Sequence, residues 1–117
     1  MSLAIFMQHV FSPAAEVVWG ASGTVSDATG VHDLAPTTDA QWETVVSGAA
    51  TLAEVANALM IPQRRRDTAW DPLAAVLQDA AKAAYQAAEA HDAKGLGLAG
   101  QRIDSACTSC HKYYGLE

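Results

Sequence analysis

Apolar residues recur along this chain at intervals of three and four, the spacing that lines one face of an α-helix. Four such stretches are expected, over about residues 3–20, 39–61, 72–91 and 93–114. In the first, Leu3, Phe6, Met7, Val10, Ala14, Val17 and Val18 share a face. Pro13 should kink or divide it, because proline lacks an N–H and its ring meets the carbonyl four residues back. The second opens on a capping box, Thr38 with Gln41, and ends before Pro62. Its apolar face holds Trp42, Val45, Val46, Ala49, Leu52, Ala56, Leu59 and Met60. The third is expected to start with Asp71 as cap and Pro72 at the first helical position, then to carry Leu73, Val76, Leu77, Ala80, Ala84 and Ala87. The fourth starts at the cap Asp92 and carries Leu96, Ala99, Ile103, Ala106, Cys110 and Tyr114. Its Gly95, Gly97 and Gly100 weaken it by up to ~1 kcal/mol each but permit close backbone approach. Residues 21–39, with Gly23, Gly30, Pro36 and several Ser, Thr and Asp, read as a long connection. No strand is expected.

Short connections between the last helices favour antiparallel neighbours. The expected fold is all-α, a single domain over residues 1–117 built as an antiparallel up-down-up-down four-helix bundle. One end would then gather Met7, Met60, Arg64, Arg65, Arg66, Trp70 and residues 107–111, with His32 and His91 at the other. Half of the 117 residues are hydrophobic, many of them alanine, so the core has few bulky side chains. The net charge of −6 argues against nucleic acid or an anionic membrane as partner and suits steering by a basic protein. No apolar run approaches the roughly 20 residues of a membrane-spanning helix.

The only two cysteines stand in the pentapeptide Cys107-Thr108-Ser109-Cys110-His111. C-x-x-C-H is the signature of covalent c-type haem attachment, in which two thiols add to the haem vinyl groups and the following imidazole binds the iron. On a helix at ~100° per residue, Cys107, Cys110 and His111 fall within an arc of roughly 100° and address one flat ligand. Three other readings compete. A structural zinc site wants four ligands, and His9, His32 and His91 lack the spacing to supply them. A reactive dithiol sits at a helix N-terminus, whereas this motif ends a helix, where the dipole opposes thiolate. A plain disulfide is the third. Such haem is attached outside the bacterial cytoplasm, so a leader and a periplasmic location are expected. No secretory signal is visible in this sequence.

For the opposite face of the iron, Met7 lies on the apolar stripe at the same end, and its thioether would raise a reduction potential. Equally, Met7 can simply pack, and Met60 is an alternative ligand. Arg64, Arg65 and Arg66 form the one basic cluster. Arg64 is a candidate partner for a haem propionate, against the plainer reading of a solvated loop. Arg102 is a more distant candidate. Of the three tryptophans, Trp70 is best placed to touch a haem, and Tyr113 or Tyr114 to close its edge.

These residues resemble the cytochrome c-prime superfamily, the class II c-type cytochromes. The resemblance rests on the pentapeptide near the C-terminus, a last helix approached through His91-Asp92-Ala93, and the Phe6-Met7 pair in the first helix. It covers most of the chain, with the pentapeptide as its specific part. It implies a four-helix bundle holding one haem c, often as a homodimer, and no enzymatic activity. Low-spin members take a methionine from the first helix as sixth ligand and transfer electrons, and Met7 matches that position. High-spin members leave the position open and bind nitric oxide or carbon monoxide. The chain departs from the family at Leu3, about where an arginine commonly stands, at Pro13, and in its basic 62–67 loop.

Overall fold

In the computed structural model the chain is mostly helical, 68% of it, with four packed helices and one small two-stranded sheet. The structure describes residues 1–115, so Leu116 and Glu117 of the expected domain lie outside the described residues. The first helix, α1, covers residues 3–19 in three parts: α-helical Leu3–Phe6, a wider π-helical turn Met7–Phe11, and α-helical Ser12–Trp19. It is followed by strands β1 (Thr24–Asp27) and β2 (Gly30–Asp33), then helices α2 (Asp39–Ala58), α3 (Trp70–Glu89) and α4 (Ala93–Tyr113). α2 packs on α1 and α3, α3 packs on α4, and α4 closes back onto α1.

Pro13, expected to kink or divide the first helix, is preceded by a change of helix type with no break in the chain of helical turns. The helix widens one turn ahead of it, and the Ser12 N–H donates to the carbonyl of Met7, five residues back. Nor is the 21–39 connection free of strands. β1 and β2 pair antiparallel, with Asp27 opposite Gly30, which leaves the two-residue loop Ala28-Thr29. The Asp27 carboxylate accepts from the Thr29 N–H and hydroxyl at 2.8 and 2.6 Å and so holds that turn. Every residue of both strands is exposed. A hairpin with no buried face has no apolar alternation to announce it.

The Thr38 and Asp92 side chains cap their helices, accepting from the N–H groups of Gln41 and Gly95, but the capping box is incomplete: the Gln41 side chain accepts from the Thr37 N–H, one residue ahead of Thr38. The start of α3 differs. It begins at Trp70, ahead of Asp71, and the Asp67 carboxylate accepts from the Ala69 N–H at 3.1 Å. Asp71, freed from capping, pairs with Arg65 at 3.1 Å. α2 ends at Ala58, short of the expected 61, and Leu59 to Ile61 continue as tighter i→i+3 turns before Pro62. Val76, expected on the apolar face of α3, is 54% exposed, whereas Phe11 and Ala15, left off the expected face of α1, are buried.

About half of the buried apolar residues are alanines, and on α3 they form the run Ala80, Ala81, Ala84, Ala87, Ala88. Small side chains let helix axes approach, and the one buried glycine of α2 marks the tightest point. A Cβ built on Gly48 would stand 2.7 Å from Cβ of Val17. Both atoms are held close to the backbone, so a rotamer change cannot relieve the contact. Gly48→Ala should therefore destabilise, by about 1–3 kcal/mol from overpacking, even though alanine favours a helix by up to ~1 kcal/mol. A urea titration showing an unchanged or higher midpoint would refute the close α1–α2 approach.

Candidate functional site

A group of bulky apolar residues gathers near the meeting of four segments. These are the first half of α1, the end of α2, the start of α3 and the end of α4. Phe11, Leu59, Trp70, Leu73 and Leu77 form the walls of a cleft there. The side chains leave only about 30 Å³ of open space in it, so a large ligand would have to part these walls. Cys107, Cys110 and His111 line it from α4, and Met7 lines it from α1.

Trp70 anchors this end. Its ring is buried, and its indole N–H donates to the carbonyl of Leu59 at 2.7 Å. That bond satisfies a carbonyl just past the end of α2 and ties it to the start of α3. Tyr114 packs on the same ring at 5.6 Å, and its hydroxyl donates to the Asp67 carboxylate at 2.7 Å. The end of α4 is thereby fastened to the loop before α3. The opposite end carries matching contacts. His91, in the left-handed region at φ 51°, stacks on Trp42 at 4.9 Å, and the Trp19 indole donates to the Gly100 carbonyl at 3.1 Å.

Both cysteines are free thiols and half-buried. Burial, the Asp104 carboxylate and the neighbouring Cys110 push Cys107 up to about 11. Burial also raises Cys110, against an opposing pull from the Arg66 guanidinium. This environment penalises thiolate, the form that zinc ligation and disulfide exchange require. A thioether sulfur carries no charge and meets no such penalty. Among the described residues, no group of three or more His, Cys, Asp or Glu side chains comes together to hold a metal ion. The residues present fit a haem c by their chemistry. Two thiols and an imidazole open onto one apolar cleft, with a thioether on the opposing helix.

Of the residues singled out from sequence, Cys107, Cys110, His111, Met7 and Trp70 share this cleft. Met60 and Arg64 do not line it. Met60 packs half-buried against the core. Arg64 lies over the Phe6 ring, 4.4 Å from its centroid, and lines a separate polar cleft with Gln63, Arg65 and Arg66. Its Nε is buried and makes no hydrogen bond among the described residues. Arg66, whose charge acts on Cys110, stands 6.0 Å from the Trp70 ring centre and 5.6 Å from that of Tyr114. His9, His32 and His91 are exposed and away from the cleft. Sequence reasoning missed Phe11 as a wall and Asp67 as the anchor of Tyr114. Phe11 had a signal, its placement five residues after Phe6 and two before a proline. Asp67 had none, because its partner is 47 residues away.

No family model, curated protein or solved structure matches the chain. No described helix is long and apolar enough to cross a membrane.

The raised thiol makes a measurable difference. Against an ordinary value of 9.0, a Cys107 near 11 holds about 100-fold less thiolate at pH 8, so its alkylation in the apoprotein should be slower by about that factor. The sign of the stability effect follows. The native state keeps its proton where the unfolded chain loses it, so stability is full below pH 9 and falls as pH rises towards 11. Alkylation of native Cys107 as fast as in denatured protein would contradict its buried setting.

Proposed function

We propose that this chain is a monohaem c-type cytochrome of the cytochrome c-prime superfamily, carrying single electrons in the periplasm. The observation that carries this reading is the shared cleft. Cys107, Cys110 and His111 line it from one helix, and the Met7 sulfur lies on another. The bound haem would supply one-electron chemistry, with iron cycling between ferric and ferrous. The two thiols would hold the macrocycle by thioether bonds, and the His111 imidazole would take the proximal position. Met7 would take the distal one and favour the reduced state. Phe11, Leu59, Trp70, Leu73 and Leu77 exclude water from that space. Arg66 is better placed than Arg64 to meet a propionate at the mouth, since its charge already reaches Cys110.

The contacts at the two ends support an antiparallel up-down-up-down bundle as the scaffold. The start of α3 meets the ends of α2 and α4 through Trp70, Leu59 and Tyr114. The end of α3 meets the start of α2 through His91 and Trp42. The net charge of −6 suits steering by a basic redox partner. The raised thiol at Cys107 weighs against a dithiol or zinc module, both of which need thiolate.

The test is to express the chain behind a leader with a haem-attachment system and record ferrous spectra with and without carbon monoxide. We expect haem that stays bound on denaturation, and sharp low-spin bands that the gas leaves unchanged. Met7→Ala should become five-coordinate and respond to the gas. A parent protein that binds carbon monoxide would replace electron transfer by gas binding. Failure to attach haem would sink both.

A further inference from the structure

The wide turn in α1 decides which of two adjacent side chains faces the core. Downstream of it the buried stripe runs through Phe11, Ala14, Ala15 and Val18, in ordinary α-helical spacing. Continued upstream at about 100° per residue, that stripe would pass through Met7 and Ala4 and leave Phe6 roughly 130° from its centre. The structure has the reverse. Phe6 is 5% exposed and Ile5 49%, Ala4 is exposed, and Met7 is half-buried where it borders the cleft. One extra residue in the turn accounts for all four positions. It rotates the upstream segment by about 100°, bringing Phe6 to within roughly 30° of the centre and moving Met7 about 70° to one side. Phe6 and Phe11, five residues apart, consequently meet edge to face at 5.7 Å.

The cause lies at residue 13. An α-helix running through Pro13 would press its ring against the carbonyl of His9 and leave that carbonyl without its donor. The bond from the Ser12 N–H to the Met7 carbonyl carries the chain past this obstacle with one residue to spare. We propose that Pro13 is a positioning residue for Met7. By enforcing the π turn it keeps the thioether at the rim of the cleft and Phe6 in the core. The rotation rests on α1 alone, and only its spectroscopic consequence rests on the haem reading above.

Two variants test it. Pro13→Ala removes the obstacle, so α1 should relax to a continuous α-helix and turn Met7 into the core. Pro13→Ala with His9 deleted is also free to be α-helical, but the missing residue restores the original faces of Phe6 and Met7. In the apoprotein, peroxide oxidation of the Met7 sulfur, followed by peptide mass spectrometry, should slow in Pro13→Ala and return to the parent rate in the deletion variant. With haem attached, Pro13→Ala should lose the sulfur-to-iron charge-transfer band, and the deletion variant should regain it. Unfolding of Pro13→Ala alone, with the deletion variant folded, supports the same register argument. Parent-rate oxidation in Pro13→Ala, or unfolding of both variants, overturns it. If the oxidation rates follow the expected pattern while the parent never shows the band, positioning stands and methionine ligation fails.

Discussion

Close packing of alanine faces sets how nearly the helices of this chain approach one another. On α3 the buried positions from Ala80 to Ala88 are all alanine, and Gly48 of α2 leaves no room for a Cβ beside Val17. Phe6, Phe11, Leu59, Trp70 and Leu77 are buried together at one end, while Trp42, Leu52, Leu96 and Ile103 fill the rest of the core. The cleft lies at the end that Phe11, Leu59, Trp70 and Leu77 line.

That end is held by polar bonds as well as by volume. The Trp70 indole answers the Leu59 carbonyl, and the Tyr114 hydroxyl answers Asp67. Each bond links segments that lie far apart in sequence or meet across a loop, and each involves an aromatic ring that also packs. The cysteines sit against this frame in surroundings that disfavour charge. An uncharged sulfur is the form best suited to them, which connects the packing of the cleft to the kind of bond the sulfurs can sustain. Of the arginines in the 62–67 loop, which line a separate polar cleft, Arg66 is the one whose charge reaches Cys110.

Much of this was legible in the sequence. Helical periodicity located all four helices, and the caps at Thr38 and Asp92 formed where the motif placed them. Both signals are local, arising within a few residues of the positions they describe. Arguing from helix ends brought Met7, Trp70, Cys107, Cys110 and His111 to one place, where the cleft is found. What escaped notice has a physical reason in each case. The hairpin buries neither face and so leaves no apolar pattern. α3 starts at Trp70 with no side-chain cap, behind a turn that Asp67 holds by accepting from the Ala69 N–H. Arg64 points onto Phe6 because that ring is turned inward by a rotation that α-helical spacing does not contain.

The sequence by itself determined which residues can do chemistry here: two thiols and an imidazole at helical spacing, with a thioether in another helix. It determined them because spacing along a helix is a covalent property of the chain. Only the tertiary structure decided which face Met7 presents, which arginine's charge reaches Cys110, and which aromatic side chains close that end. Those outcomes depend on one widened turn ahead of Pro13 and on contacts between segments many residues apart. Proline states where a regular helix cannot continue. Whether the chain answers with a break, a kink or an extra residue is settled by which side chains the rest of the core has room to bury.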